Sequence, residues 1–167
     1  MDAPVLTDRL ILRPPEPADF PAFRAYFMSD RAQFTGGQPD PILAWNRFCV
    51  TLGHRIMRGY GVFTVLTRDS QTPIGAAGPF FPEGWPEPEI AWQLWDPRAE
   101  GKGYAHEAAQ AARAHACATL GWQRPASLIA PDNTRSQALA QRLGCVHESD
   151  FAHPHFGILQ LWRHPAP

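Results

Sequence analysis

The sequence predicts a mixed α/β fold around one central sheet. Two observations carry this. Short β-branched or alternating segments are interleaved with longer segments whose apolar residues recur at helical spacing, and glycine and proline punctuate the boundaries. The resulting order is strand, two helices, three strands, helix, strand, helix, two strands, which suits helices laid on a sheet rather than a bundle or a sandwich. With 167 residues, 44% hydrophobic and 19% charged, the chain reads as one domain, 1–167, with enough apolar material for a core.

Leu10-Ile11-Leu12-Arg13 reads as the first strand, stopped by Pro14 and Pro15. Residues 19–29 read as a helix with Phe20, Phe23, Tyr26 and Phe27 on one face. Residues 31–41 carry Gly36, Gly37, Pro39 and Pro41 and read as a loop. Residues 42–58 form a second helix, apolar at Leu43, Trp45, Phe48, Leu52, Ile56 and Met57. Strand chemistry follows at 61–67 and, after the turn 68–72, at 74–81, where Gly75 and Gly78 weaken the pattern. A stiff loop, 82–88, holds Gly84 and Trp85, and 89–95 alternates as a strand. A glycine-containing loop, 96–103, opens into alanine-dense Tyr104–Leu120, with Gly121 as the helix stop. Residues 126–130 are a short strand. Asn133 caps a helix running through Leu143 and ended by Gly144, and strands at 146–151 and 157–163 close the chain.

Composition removes several function classes. Fifteen Lys+Arg against 16 Asp+Glu give a net charge of -1, without the basic excess expected of a nucleic-acid binder. Cys49, Cys117 and Cys145 are odd in number and far apart, which suits a reducing compartment and gives no disulfide framework or metal knuckle. The N-terminus lacks a basic segment followed by an apolar one, and no apolar run approaches the ~20 residues of a membrane span, so a cytoplasmic protein without membrane partners is expected. His147, His153, His155 and His164 cluster near the C-terminus without a known ligand spacing, so no metal is expected. His106, on the first turn of its helix, reads as exposed or as a residue able to approach a phosphate.

The most informative segment is Arg98-Ala99-Glu100-Gly101-Lys102-Gly103-Tyr104-Ala105, between a strand and a helix. Glycines let successive N–H groups turn inward, and the first turn of a helix adds N–H groups without intrahelical acceptors. Together they suit a phosphate or pyrophosphate. The other reading is a glycine turn that merely permits close packing. No GxxxxGK is present, and GxGxxG fails at His106, so neither common nucleotide motif explains the loop.

The loop resembles the acyl-CoA-binding motif of the GNAT N-acetyltransferase superfamily, [Gln/Arg]-x-x-Gly-x-[Gly/Ala], with Arg98, Gly101 and Gly103 in the fixed places. Thr7-Asp8-Arg9-Leu10-Ile11-Leu12-Arg13-Pro14 resembles the opening of the branch holding the ribosomal-protein N-terminal (RimJ/RimL-like) acetyltransferases. Glu89-Ile90-Ala91-Trp92-Gln93-Leu94 resembles that branch's strand before the loop, and Asn133-Thr134-Arg135-Ser136 with Leu143-Gly144 its second cofactor helix. The resemblance implies a mostly antiparallel sheet, flanked by about four helices and split in a V between the predicted fourth and fifth strands, 89–95 and 126–130.

It also implies acetyl-CoA as cosubstrate. The pantetheine arm is expected along the backbone of Gln93, Leu94 and Trp95, with a bulge there, and the pyrophosphate in the nest of Glu100, Gly101, Lys102, Gly103, Tyr104 and Ala105. Arg98 and Lys102 read as phosphate contacts or as solvated charge, and Asn133 as a pantetheine contact or a plain helix cap. The implied reaction is direct acetyl transfer to a primary amine in a ternary complex. Glu89 is the base candidate, its pKa raised by Trp85 and Trp92, or else a solvent-facing carboxylate. The place of the tyrosine acid found in many relatives is Ala140, a departure; the ribosomal-protein branch instead points to Ser136, which otherwise only serves its helix. Trp45, Trp85 and Trp92 are expected near the acceptor pocket, and loops 31–41 and 82–88 as specificity elements. The acceptor is a protein N-terminus or a small amine, and the protein a monomer or homodimer. The rival readings are a non-catalytic acyl-CoA sensor, which Ala140 keeps open, and an interaction protein with a collapsed cofactor site.

Overall fold

A computed structural model describes residues 3–36 and 39–167. Gly37 of the expected loop and the first two residues of the N-terminus therefore lie outside the described residues. The elements are β1 (Val5–Leu6), β2 (Leu10–Arg13), α1 (Phe20–Phe27), α2 (Pro41–Arg58), β3 (Phe63–Thr67), β4 (Pro73–Phe80), β5 (Glu89–Leu94), α3 (Tyr104–Leu120), β6 (Ala126–Ile129), α4 (Thr134–Arg142), β7 (Val146–His153) and β8 (Gly157–Arg163). The order predicted from sequence holds, with β1 added. Two residues are too few for any periodicity to betray a strand; β1 exists because β2 offers an antiparallel edge, pairing Val5 with Leu12.

Among the described residues, all eight strands form one sheet in the order β1-β2-β3-β4-β5-β6-β8-β7. Neighbours are antiparallel except β5 and β6, which α3 joins as a parallel crossover and which share only the pair Glu89 and Ala126. Beyond that pair the strands diverge. The split lies where it was expected, now between the fifth and sixth strands because β1 is counted.

The two faces of the sheet are covered differently. On one, Ala108, Ala112 and Ala116 of α3 lie fully buried against Leu10, Leu12, Val65 and Ile90. Their small size lets the helix axis approach the strands closely. On the other, aromatic rings of α1 and α2 (Phe23, Phe27, Phe48) meet Trp95. A third cluster joins α3, α4, β6 and β8 around Ile129, Leu139 and Trp162, and fully buried Ala140 belongs to it.

Polar groups pin these layers. Buried Asp19 accepts from both Arg13 Nη atoms (2.8 and 2.7 Å), from the Glu16 N–H (2.9 Å) and from Thr64 Oγ1 (2.7 Å). Burial raises its pKa, but these donors together hold it below the usual carboxylate range. His54 Nε2 accepts from the Phe81 N–H (2.9 Å), so Nδ1 carries the proton and donates to the Tyr60 carbonyl (3.1 Å). That neutral imidazole ties α2 to the start of β3 and the end of β4. Among the described residues no helix is long and apolar enough to cross a membrane.

Candidate active site

The closed end of the split is built from side chains. His164 N–H bonds the Pro125 carbonyl, so by alternation the N–H groups of Ala126 and Leu128 face β5. In a continuous sheet the Leu128 N–H would meet backbone; here it donates to Glu89 Oε2 (2.8 Å). Likewise the Ile90 carbonyl accepts from Ser127 Oγ (2.6 Å). Glu89 Oε1 also accepts from the Trp85 indole (2.8 Å). Glu89 is 5% exposed, so it is no solvent-facing strand-end carboxylate. Burial pushes its pKa up to about 7, and the two donors hold it from rising further.

Ser127 Oγ also lies 2.9 Å from Nε2 of His164, which is fully buried. With the hydroxyl proton committed to Ile90, Nε2 must carry the imidazole proton, and Nδ1 is a buried lone pair without a hydrogen-bond partner among the described residues. Burial lowers the His164 pKa to about 4, so the ring is neutral.

Further along the split, β5 bulges. Both Trp95 N–H (2.7 Å) and Asp96 N–H (3.2 Å) bond the Ile74 carbonyl, two residues against one. Arg31 grips the outward carbonyls of this bulge, Leu94 O at 2.9 Å and Trp95 O at 2.7 Å. Counting back from Trp95, Gln93 faces β4, whereas the N–H groups of Trp92 and Leu94 face the split. Of the backbone expected to hold the pantetheine arm, the Gln93 and Trp95 N–H groups are directed to β4 and the Leu94 N–H to the split, while the Trp95 carbonyl faces Arg31. The open backbone is at Trp92 and Leu94.

The mouth of the split carries the glycine loop. Gly101 and Gly103 adopt φ of 73° and 79°, and nothing crowds Gly101. Gly103 is the N-cap of α3 and provides no side-chain cap, so the N–H groups of Tyr104, Ala105 and His106 have no intrahelical acceptor. The loop is anchored from the chain's start. Glu107 accepts from Thr7 Oγ1 (2.6 Å), Arg9 N–H (3.0 Å) and Arg9 Nε (2.6 Å), while Arg9 donates to Lys102 O (2.9 Å) and lies over the Tyr104 ring. The Glu100 carboxylate bridges Arg31 and Arg135 of α4. Arg98 is exposed and already paired with Asp96, and Lys102 is exposed.

The remaining expected residues separate into two groups. Trp85 sits beside Glu89 among Phe80, His153 and Phe156. Trp92 lies on the other face of the sheet, partly buried against the α3 and α4 clusters; its indole donates to Ser136 Oγ (3.2 Å) and its ring meets His164 edge-on. Trp85 and Trp92 thus do not form one acceptor wall, because alternation along β5 sends Trp92 away from Glu89. Trp45 is also displaced, lying edge-on to Phe20 with half its surface exposed on the outer side of α2. Asn133 Oδ1 accepts from the Ser136 N–H (3.2 Å), the geometry of a cap. Among the described residues no three metal-ligating side chains converge: His147 pairs with Asp150, and His153 accepts turn N–H groups. Arg31, Arg9, Ser127 and His164 were missed from sequence. Arg9 had a signal as part of the Thr7–Arg9 opening and Arg31 as the first residue of loop 31–41, but the contacts of Arg31, Ser127 and His164 depend on distant backbone.

A search of curated proteins found no match. An acetyltransferase from Agrobacterium tumefaciens str. C58 is 33% identical, with a TM-score of 0.88, and the match covers 98% of this chain and 95% of that one. A protein of Bordetella pertussis assigned to the GNAT acetyltransferases is 32% identical, with a TM-score of 0.79 and coverage of 98% and 99%. RimL, a ribosomal L7/L12 α-N-protein acetyltransferase solved with coenzyme A, shares the fold at 16% identity, a TM-score of 0.76 and 98% coverage of each chain. Residues 9–146 match the family model of the acetyltransferase (GNAT) domain, and this chain, with its split sheet and glycine-opened helix, belongs to the GNAT acetyltransferase family.

Proposed function

We propose that the protein is an acetyl-CoA-dependent N-acetyltransferase that transfers acetyl directly to a primary amine in a ternary complex. The observation that carries this reading is the pairing of a buried carboxyl poised near neutrality, Glu89, with unpaired backbone donors along the same split. The fit to acetyl-CoA rests on the loop and the bulge. Gly101 and Gly103 leave N–H groups at the start of α3 open to a pyrophosphate, and the Leu94 N–H is open to a carbonyl of a pantetheine arm. Arg135 and Arg31, balanced on Glu100, border the same mouth. Acetyl-CoA supplies the activated acyl group.

The chain's own groups do the rest. A protonated amine has no lone pair, so a base must act; with a pKa of about 7, Glu89 is ionised in a large fraction near neutral pH and accepts that proton. The Trp92 N–H, nearer the closed end than Leu94, is positioned to meet negative charge as it develops on the acyl oxygen. Ser136, whose oxygen accepts from Trp92, keeps its own proton available for a departing thiolate. Direct transfer needs no covalent acyl-enzyme, and burial, which pushes the Cys145 thiol up to about 11, keeps that thiol from being a ready nucleophile. The acceptor is a protein N-terminus or a small amine met from the Trp85 side, in the cytoplasm.

The test is acetyl-CoA thiol release against peptide N-termini, amino acids and polyamines. Amine-dependent release is expected, and Ser136→Ala should lower kcat about 100-fold with acetyl-CoA binding retained. Binding without turnover of any amine would leave a sensor of acyl-CoA on this fold.

A further inference from the structure

An exposed helix in a globular protein ordinarily turns charge to solvent. Helix α2 does the opposite. Its inner face is satisfied by Ala44, Phe48 and His54. Its outer face carries no ionisable group except a thiol: Ile42, Trp45, Val50, Ile56 and Met57 are 72, 56, 50, 83 and 84% exposed. Asn46 is the lone amide among them, and the four basic residues of the helix lie off this stripe or at its last position. At ~200 Å² per large side chain, these exposures amount to roughly 700 Å², close to the ~800 Å² per partner of a stable interface.

We propose that α2 packs antiparallel on α2 of a second copy of this chain, making a two-fold dimer. The stripe is complementary to itself. Large side chains stand at both ends, and the middle holds Cys49, which is exposed, Val50, and Gly53, around which nothing outside its own helix backbone lies within 4 Å of where a Cβ would be. Two crossing helices approach most closely at their midpoints and diverge at their ends. Small residues at the crossing and bulky ones at the ends match that shape. A two-fold axis makes each end meet the opposite end of its mate, so Trp45 and Ile42 cover Ile56 and Met57. The absence of charge removes any like-charge repulsion, and antiparallel helix dipoles are favourably opposed.

Light scattering of the full chain over a micromolar concentration series should give twice the chain mass. A short bismaleimide should link the two Cys49 thiols, and Cys49→Ser should abolish the link. Gly53→Lys is the discriminating variant. Lysine is the better helix former and meets open space in one chain, so native circular dichroism is expected, with the mass halved. A wild type monomeric throughout, or a Gly53→Lys protein that keeps the doubled mass, overturns the proposal. Monomeric wild type that floats with phosphatidylcholine vesicles overturns it in favour of a lipid surface.

Discussion

The two ends of the split solve different problems with different physics. At the closed end, Glu89, Ser127 and His164 are buried, and side chains substitute for the missing sheet ladder. There, desolvation is the largest influence on ionisation, and a carboxyl can hold or release a proton near pH 7. At the mouth, backbone N–H groups and exposed arginines face outward, charge is screened, and single ion pairs are worth little. What the mouth offers instead is geometry: a glycine turn and a helix start that no side chain fills. The lesson is that proton chemistry belongs to the end that excludes water, and anion binding to the end that does not.

Glu89→Gln should break the closed end most severely. With the base role, kcat should fall by about two to four orders of magnitude at pH 7, and the defect should shrink as pH rises and the acceptor amine loses its proton unaided. A pH–rate profile parallel to wild type would leave Glu89 a structural group. Gly103→Val should break the mouth instead. A β-branched residue at φ 79° is strained, and its Cβ would lie 3.4 Å from Arg9, so acetyl-CoA affinity should fall ~10-fold or more in a protein that still folds. Calorimetric titration checks this, and unchanged affinity would remove the nest. Trp85→Phe sharpens the comparison. It deletes one donor to the Glu89 carboxylate, so the rising limb of the pH–rate profile should move above 7, with acetyl-CoA affinity untouched. The smallest effect is expected for Asn133→Ala, a cap loss of ~1 kcal/mol in denaturant unfolding.

The mouth was far more legible in the sequence than the closed end. Tyr104–Leu120 was delimited correctly because alanine and flanking glycines are local signals, and Arg98, Gly101 and Gly103 are close in the chain. Glu89 was a strand-end carboxylate with two readings because what buries it, the Leu128 N–H and the Trp85 indole, comes from other elements. Ser127 and His164 carried no local signal; they meet only because β8 returns beside β6. Arg31 was read as a loop residue, and only the fold brings it to the Leu94 and Trp95 carbonyls. Which of Gln93, Leu94 and Trp95 turns its N–H to the split is not legible locally, since strand alternation relative to a bulge cannot be counted until the bulge is located.

The protonated carboxyl and neutral imidazole that the closed end holds in mild acid have a consequence for acid tolerance. Unfolding would move Glu89 from about 7 to its ordinary 4.5 and His164 from about 4 to its ordinary 6.5. Between pH 4.5 and 6.5 the folded chain therefore keeps a proton on Glu89, and the unfolded chain keeps one on His164 instead. Glu89 alone would make stability fall as pH rises through that window; His164 alone would make it fall as pH drops. Their proton counts cancel, so together they contribute almost no slope. Replacing Glu89 with glutamine removes one side of the balance, and the variant should then lose stability steadily as pH is lowered from 6.5 towards 4, where the parent's contribution from this pair is flat. The interior thus acts as a small proton reservoir, trading an ion pair's worth of charge in the open chain for none in the closed one.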